Sequence, residues 1–209
     1  MKPAAVILAG GRSSRMGGGD KCLLPVRGKP LIAHILEALA SQTEDILINT
    51  NSDPGAFLKL GLPVLPDAIT GFQGPLAGLL TGMLWSRRRH PHQVYLLSVA
   101  GDVPFLPRDL VAKLHASLAD GHADIAIAAC PQSSHPTIGL WPVDLAQRLE
   151  HDLMETNIRS MHDWIGSFRV ACAPFPSDVL TNINTPAELA SCQKVFPANR
   201  LMDHAAASI

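Results

Sequence analysis

Glycine and positive charge are concentrated near the start of this chain. The stretch reads Leu8-Ala9-Gly10-Gly11-Arg12-Ser13-Ser14-Arg15-Met16-Gly17-Gly18-Gly19-Asp20-Lys21. Residues 11–29 carry Arg12, Arg15, Lys21, Arg27 and Lys29 against the single acid Asp20, inside a chain whose net charge is −1. Glycines let backbone N–H groups approach an anion, and Arg and Lys add charge-assisted hydrogen bonds. The physical reading is a polyphosphate cradle; an exposed, solvated loop has the same composition. Two common phosphate loops are excluded by spacing. A P-loop needs GxxxxGK[ST], but Lys21 is followed by Cys22, and the Rossmann GxGxxG is absent. A P-loop NTPase and an NAD dehydrogenase are therefore disfavoured.

A second candidate is Asp102, which follows the apolar run Val94–Ala100 and precedes Val103-Pro104. An acid at the carboxyl end of a buried strand can hold a hard cation that shares phosphate oxygens, or can serve as a turn or N-cap residue. Asn49 and Asp67 each close a predicted strand, where turn residues are also common. Gly74-Pro75-Leu76-Ala77-Gly78 opens a helix whose N-terminus can receive an anion, or whose small residues allow close packing. His135, beside Pro136, reads as structural. The run Arg87-Arg88-Arg89-His90 suits a helix C-terminus and is assigned no chemistry. No serine sits in a GxSxG setting and no cysteine has a neighbouring base, which fits a reaction whose substrate supplies the nucleophile.

These residues need elements to position them. Apolar runs predict strands at Ala4–Ala9, Asp45–Asn49, Pro63–Leu65, Val94–Ala100, Asp124–Ala129, Thr137–Trp141 and Arg169–Ala173. Several are apolar on both faces, as in a sheet covered on both sides. Helical spacing follows Pro30 (Leu31, Ile32, Ile35, Leu36, Leu39), Pro75 (Leu76, Leu79, Leu80, Met83) and Pro107 (Leu110, Leu114, Leu118). Thr185-Pro186-Ala187-Glu188 has capping-box spacing and opens a last helix. The alternation predicts an α/β fold, a Rossmann-like three-layer α/β/α sandwich with a mostly parallel sheet. Ligands in such sheets bind beyond the carboxyl ends of the strands.

The 209 residues suit one domain over 1–195, followed by an aperiodic tail over 196–209 that is expected to fray. The 47% hydrophobic content argues against disorder. With 5% aromatics and a net charge of −1, neither a nucleic-acid stacking surface nor a field for DNA or acidic membranes is expected. The four cysteines lie far apart, with neither a disulfide framework nor a zinc spacing. The six apolar residues before Gly10 are too few to span a membrane, so the cytoplasm is the expected compartment.

Taken together, Leu8-Ala-Gly-Gly-x-Ser-Ser-Arg-Met-Gly-x-x-Asp20-Lys21, Leu24-Pro25 and Gly28-Lys29-Pro30-Leu31 resemble the signature of the sugar-nucleotide-transferase superfamily. Further matches are Gly74–Gly78, Asp102-Val-Pro-Phe105, His135-Pro136-Thr137 and Asn182-Ile-Asn184-Thr-Pro-Ala-Glu-Leu189, so the resemblance covers about residues 4–193. Within it the chain is similar to the molybdenum cofactor guanylyltransferases. Gly11 and the pair Asp20-Lys21 favour the guanylyl branch over cytidylyl relatives, which more typically read Leu-Ala-Ala-Gly. Gly101 stands where the family frequently has Cys, a position of little chemistry.

The resemblance implies transfer of GMP from GTP to molybdenum-loaded molybdopterin, with release of pyrophosphate. It implies GTP contacts from Leu8, Ala9, Gly10, Gly11, Lys21, Asn49, Asp67 and Asp102, and charge neutralisation by Lys21 and Arg15. Asp102 would hold Mg2+, and Gly78, Asn182 and Asn184 would meet molybdopterin. Molybdenum-insertion protein and molybdoenzyme chaperones are the implied protein partners. The same transfer from CTP, or a non-catalytic carrier of nucleotide or cofactor, are the alternatives.

Overall fold

A computed structural model describes residues 2–10, 20–71, 74–156, 158, 160–177, 179–185 and 187–190. Seven strands form one sheet: β1 (Ala4–Leu8), β4 (Ile46–Asn49), β5 (Val64–Leu65), β6 (Tyr95–Ala100), β7 (Ile125–Cys130), β8 (Ser133–Pro142) and β9 (Val170–Pro174). Their order is β5-β4-β1-β6-β8-β7-β9. All neighbours pair in parallel except around β8, which runs antiparallel to both β6 and β7. The sheet is thus mostly parallel, as expected. After β1 comes a small antiparallel hairpin, β2 (Pro25–Val26) and β3 (Lys29–Pro30). Its turn residues Arg27 and Gly28 have φ of 52° and 77°, the positive pair of a two-residue primed turn.

The strands are apolar on both faces because both are covered. On one face Ile32, Ile35 and Leu39 of α1 (Leu31–Leu39) and Leu110, Leu114 and Leu118 of α3 (Leu110–Gly121) meet Ala5, Ile7, Ile48, Leu97 and Val99. On the other, α2 (Pro75–Arg89), α4 (Ala146–Glu155) and α5 (Met161–Ile165) bring Leu76, Leu79, Met83, Leu149, Leu153 and Trp164 onto Ala4, Val6, Leu47 and Leu96. Alternate residues of β1 therefore enter opposite cores, and the predicted three layers are present. Gly82 brings α2 close to the sheet: a Cβ there would lie 2.7 Å from Val6 Cγ1 and 2.9 Å from Leu96 Cδ2.

Candidate active site

The parallel pairing sets four strand ends in one row. Leu8 is in register with Asn49 on one side and with Ala100 on the other, and Asn49 is in register with Leu65. After β1 the chain goes first to β4 and β5, then returns through α2 to β6 on the opposite side of β1. The order reverses at β1, the point where open α/β sheets bind ligands. Three strand spacings of about 4.8 Å make this edge roughly 14 Å long, enough to carry a nucleotide laid along it.

At the β6 end, Asp102 accepts a bond from Lys21 Nζ at 2.9 Å on Oδ2 and from Asn182 Nδ2 at 3.3 Å on Oδ1. Lys21 Nζ also donates to Asn184 Oδ1 at 2.6 Å. The Lys21 and Asp102 side chains are only 12% and 24% exposed, so this is not a solvent-screened surface pair. Residues 81 and 163 positions apart in the chain from Lys21 meet at its ammonium group. The segment Asn182–Asn184 is held here by its backbone, since Ile183 N–H donates to Asp102 O at 2.9 Å. Ile183 is itself buried with Val26 and Leu31, a small core beneath the site.

Gly101 is the residue that brings β1 and β6 to the site. Its N–H donates to Leu8 O at 3.0 Å, and a Cβ would lie 3.0 Å from that oxygen and 3.1 Å from Ala9 Cα. The position therefore does steric work, which its lack of a functional group conceals in the sequence. Next to it, Cys22 is buried; burial pushes its thiol up to about 12, and the carboxylates of Asp20 and Asp102 add to the shift.

At the β4 end, Asn49 Nδ2 donates to Asp67 Oδ1 at 3.0 Å and to Leu65 O at 3.3 Å. Asn51, a residue the sequence reading missed, closes a reciprocal pair with Asp67: its Nδ2 donates to Oδ2 at 2.8 Å, and Asp67 N–H donates to its Oδ1 at 2.9 Å. Thr81 ties this loop to α2, accepting from Ala68 N–H at 2.8 Å while donating to Ala77 O at 2.8 Å. Gly78 lies buried beneath this group. A Cβ there would overlap Asn49 Oδ1 and come within 2.8 Å of Leu8 Cδ2. Gly78 thus stands against Asn49 and Leu8 rather than among Asn182 and Asn184, where the sequence reading grouped it.

Ala9 N–H donates to Asn49 O at 2.8 Å, which continues the β1–β4 ladder past Leu8; a Cβ on Gly10 would meet nothing within 4 Å. Gly11, Arg12 and Arg15 lie outside the described residues. Of the other basic residues, Lys29 is paired with Glu37 at 2.5 Å and the Arg27 guanidinium lies 5.6 Å from the Phe105 ring centre. The positive charge of residues 11–29 is thus only partly directed at the site, and Lys21 is its described representative there. Among the described residues no group of three or more His, Cys, Asp or Glu could hold a metal, and no helix is long and apolar enough to cross a membrane.

Comparison with known proteins shows the family of the chain. Residues 5–168 match the MobA-like NTP transferase domain. The chain is 44% identical over 194 residues to a molybdenum cofactor guanylyltransferase of Rhodopseudomonas palustris strain HaA2, covering 91% of both proteins. It is 42% identical over 193 residues to the protein of the same name from Bradyrhizobium sp. strain ORS 278, again covering 91% of both. Its fold matches the molybdopterin-guanine dinucleotide biosynthesis protein A of Archaeoglobus fulgidus with a TM-score of 0.70 at 20% identity, over 92% of this chain and 97% of that one.

The family match and the curated relatives define a nucleotidyltransferase, here built on a three-layer α/β/α sandwich. The chain belongs to the MobA-like NTP transferase family, and its reaction is a nucleotidyl transfer in molybdenum cofactor biosynthesis.

Proposed function

We propose that the enzyme transfers GMP from GTP to the terminal phosphate of molybdenum-loaded molybdopterin, giving molybdopterin guanine dinucleotide and pyrophosphate. The observation that carries this reading is the meeting of Lys21, Asp102, Asn182 and Asn184 at one end of the strand-end row that bears Asn49 and Asp67 at the other. The nucleoside lies between Leu8–Gly10 and the Asn49–Asp67 pair, and the triphosphate extends toward Lys21; Gly11 adds a backbone contact to GTP and Arg15 further charge. Asn182 and Asn184 seat molybdopterin beside it. Gly78 serves the nucleoside side by leaving room for Asn49.

A single carboxylate at the end of β6 fits Mg2+, which takes one or two protein carboxylates and completes its shell with phosphate oxygens and water. When bound, Mg2+ would lower the charge on the transferring phosphate, and Asp102 is the residue that would hold it. The pterin phosphate oxygen attacks the α-phosphorus of GTP in line; the new P–O bond forms as the bond to the β-phosphate oxygen breaks, and pyrophosphate leaves. The ammonium of Lys21 follows the charge that grows on the leaving and equatorial oxygens, so catalysis is positioning and electrostatics. In this reading the reaction runs in the cytoplasm, with molybdenum-insertion protein and molybdoenzyme chaperones as its partners.

Pyrophosphate release tests the reading. The purified protein with Mg2+ should release pyrophosphate only when GTP and molybdenum-loaded molybdopterin are both present. A cofactor carrier would bind either ligand and release none.

A further inference from the structure

The segment that completes the site lies beyond residue 168, where the family match ends, and one side chain holds its shape. Glu188 Oε2 accepts from Asn184 N–H at 2.6 Å and from Thr185 N–H at 2.8 Å. Glu188 N–H donates back to Thr185 Oγ1 at 3.2 Å, closing the capping box. These N–H groups hold the Glu188 carboxyl below its ordinary range. The residue fixed by this box is Asn184, whose Oδ1 lies 2.6 Å from Lys21 Nζ.

We propose that Glu188 is a positioning residue for nucleotide binding, acting through Asn184 to aim the Lys21 ammonium. Lysine is a flexible point charge on a four-carbon stem, so its value to a phosphate depends on what holds it. Lys21 is held by two groups. Asp102 comes from the β6 turn, and Asn184 comes from a loop that is anchored at Ile183 and shaped at Asn184 and Thr185 by two bonds to Glu188. Because both bonds end on a single oxygen, the role requires an acceptor at that point and not a negative charge.

The inference rests on Lys21 as a phosphate partner, and a double-mutant cycle separates the two claims. GTP dissociation constants would be measured with Mg2+ for the wild type, Glu188→Ala, Glu188→Gln, Lys21→Met and the Glu188→Ala/Lys21→Met pair. Glu188→Ala should weaken GTP about 5- to 10-fold, the loss of one well-aimed charge-assisted contact. Glu188→Gln should stay within about 2-fold of wild type, since its amide oxygen replaces Oε2. In the Lys21→Met background, Glu188→Ala should cost less than about 2-fold, because no ammonium is left to aim. Thr185→Val, a milder change to the same box, should shift GTP affinity in the same direction and again only when Lys21 is present.

Equal losses from Glu188→Ala with and without Lys21 would overturn the inference, as would an unchanged affinity in Glu188→Ala. A Gln variant as weak as the Ala variant would overturn the acceptor argument. If Lys21→Met itself bound GTP normally, the reading of Lys21 would fail, which is a different result from an additive cycle.

Discussion

Among the described residues Lys21 and Asp102 form an ion pair, and each has a second task in the proposed reaction. Asp102→Ala leaves the Lys21 ammonium with Asn184 as its described partner and removes the proposed magnesium ligand, so turnover should fall by about 100-fold or more. Lys21→Met should raise KM for GTP by about 10-fold or more and lower kcat as well, though less than Asp102→Ala does. Steady-state kinetics of the two variants checks this contrast. The thiols offer a second residue-scale test. Cys22 is buried with its thiol pushed up to about 12, whereas Cys172 is exposed. The thiolate is the reactive form, so iodoacetamide at pH 8 on the folded protein should modify Cys172 and spare Cys22, as peptide mass spectrometry would show. Modification of Cys22 before Cys172 would mean that the wall between the Lys21 loop and Gly101 opens. At this scale the residues that meet at the candidate site were legible because their types are distinctive: a lysine after a glycine loop, an acid after a buried strand. Asn51 and the steric part of Gly101 were not legible, since an asparagine at a turn and a glycine beside an acid carry no signal until their neighbours are known.

Two glycines of one helix separate site from scaffold. A methyl at position 78 would overlap the Asn49 amide, so Gly78→Ala should displace Asn49 from Asp67 and raise KM for GTP with a smaller effect on kcat. One turn later a methyl at position 82 would press on Val6 and Leu96 in the core. In an open helix Gly→Ala stabilises by about 1 kcal/mol, while overpacking costs about 1–3 kcal/mol. With Cβ distances of 2.7 and 2.8 Å to Val6 the overpacking wins, and Gly82→Ala should lower stability by roughly 1–2 kcal/mol while sparing KM. Urea unfolding and GTP kinetics on both variants would separate the two effects. The main elements follow from the sequence: all seven predicted strands are present, within a residue or two except β8, and the helices after Pro30 and Pro75 start where those prolines stand. α4 escaped the reading because its buried stripe is only Ala146, Leu149 and Leu153 in a charged segment. α5 has five residues, and the β2–β3 hairpin has two-residue strands, both too short for periodicity to register.

The antiparallel strand β8 is what the pattern of the whole chain does not convey. An apolar strand carries no mark of its direction, and β8 begins at Ser133, four residues before the predicted Thr137, with a register shift in its partner between Ile127 and Ala128. Its place beside β6 is secured by one buried polar relay: Trp141 Nε1–H donates to Ser98 Oγ at 2.8 Å, and Ser98 Oγ donates to Thr137 O at 2.9 Å. Ser98 and Trp141 are fully buried, so Ser98→Ala leaves an indole N–H and a carbonyl without this hydroxyl. It should cost about 1–3 kcal/mol, and calorimetry should show a drop of several degrees in Tm with nucleotide affinity retained. What the molecule as a whole does is tested most directly by its product. The protein would be incubated with Mg2+, molybdenum-loaded molybdopterin and either GTP or CTP, and the pterin identified by mass spectrometry, with Asp102→Ala alongside. The expected product is the guanine dinucleotide from GTP alone, lost in the variant. A cytosine dinucleotide, or no dinucleotide from a protein that binds GTP, would contradict it.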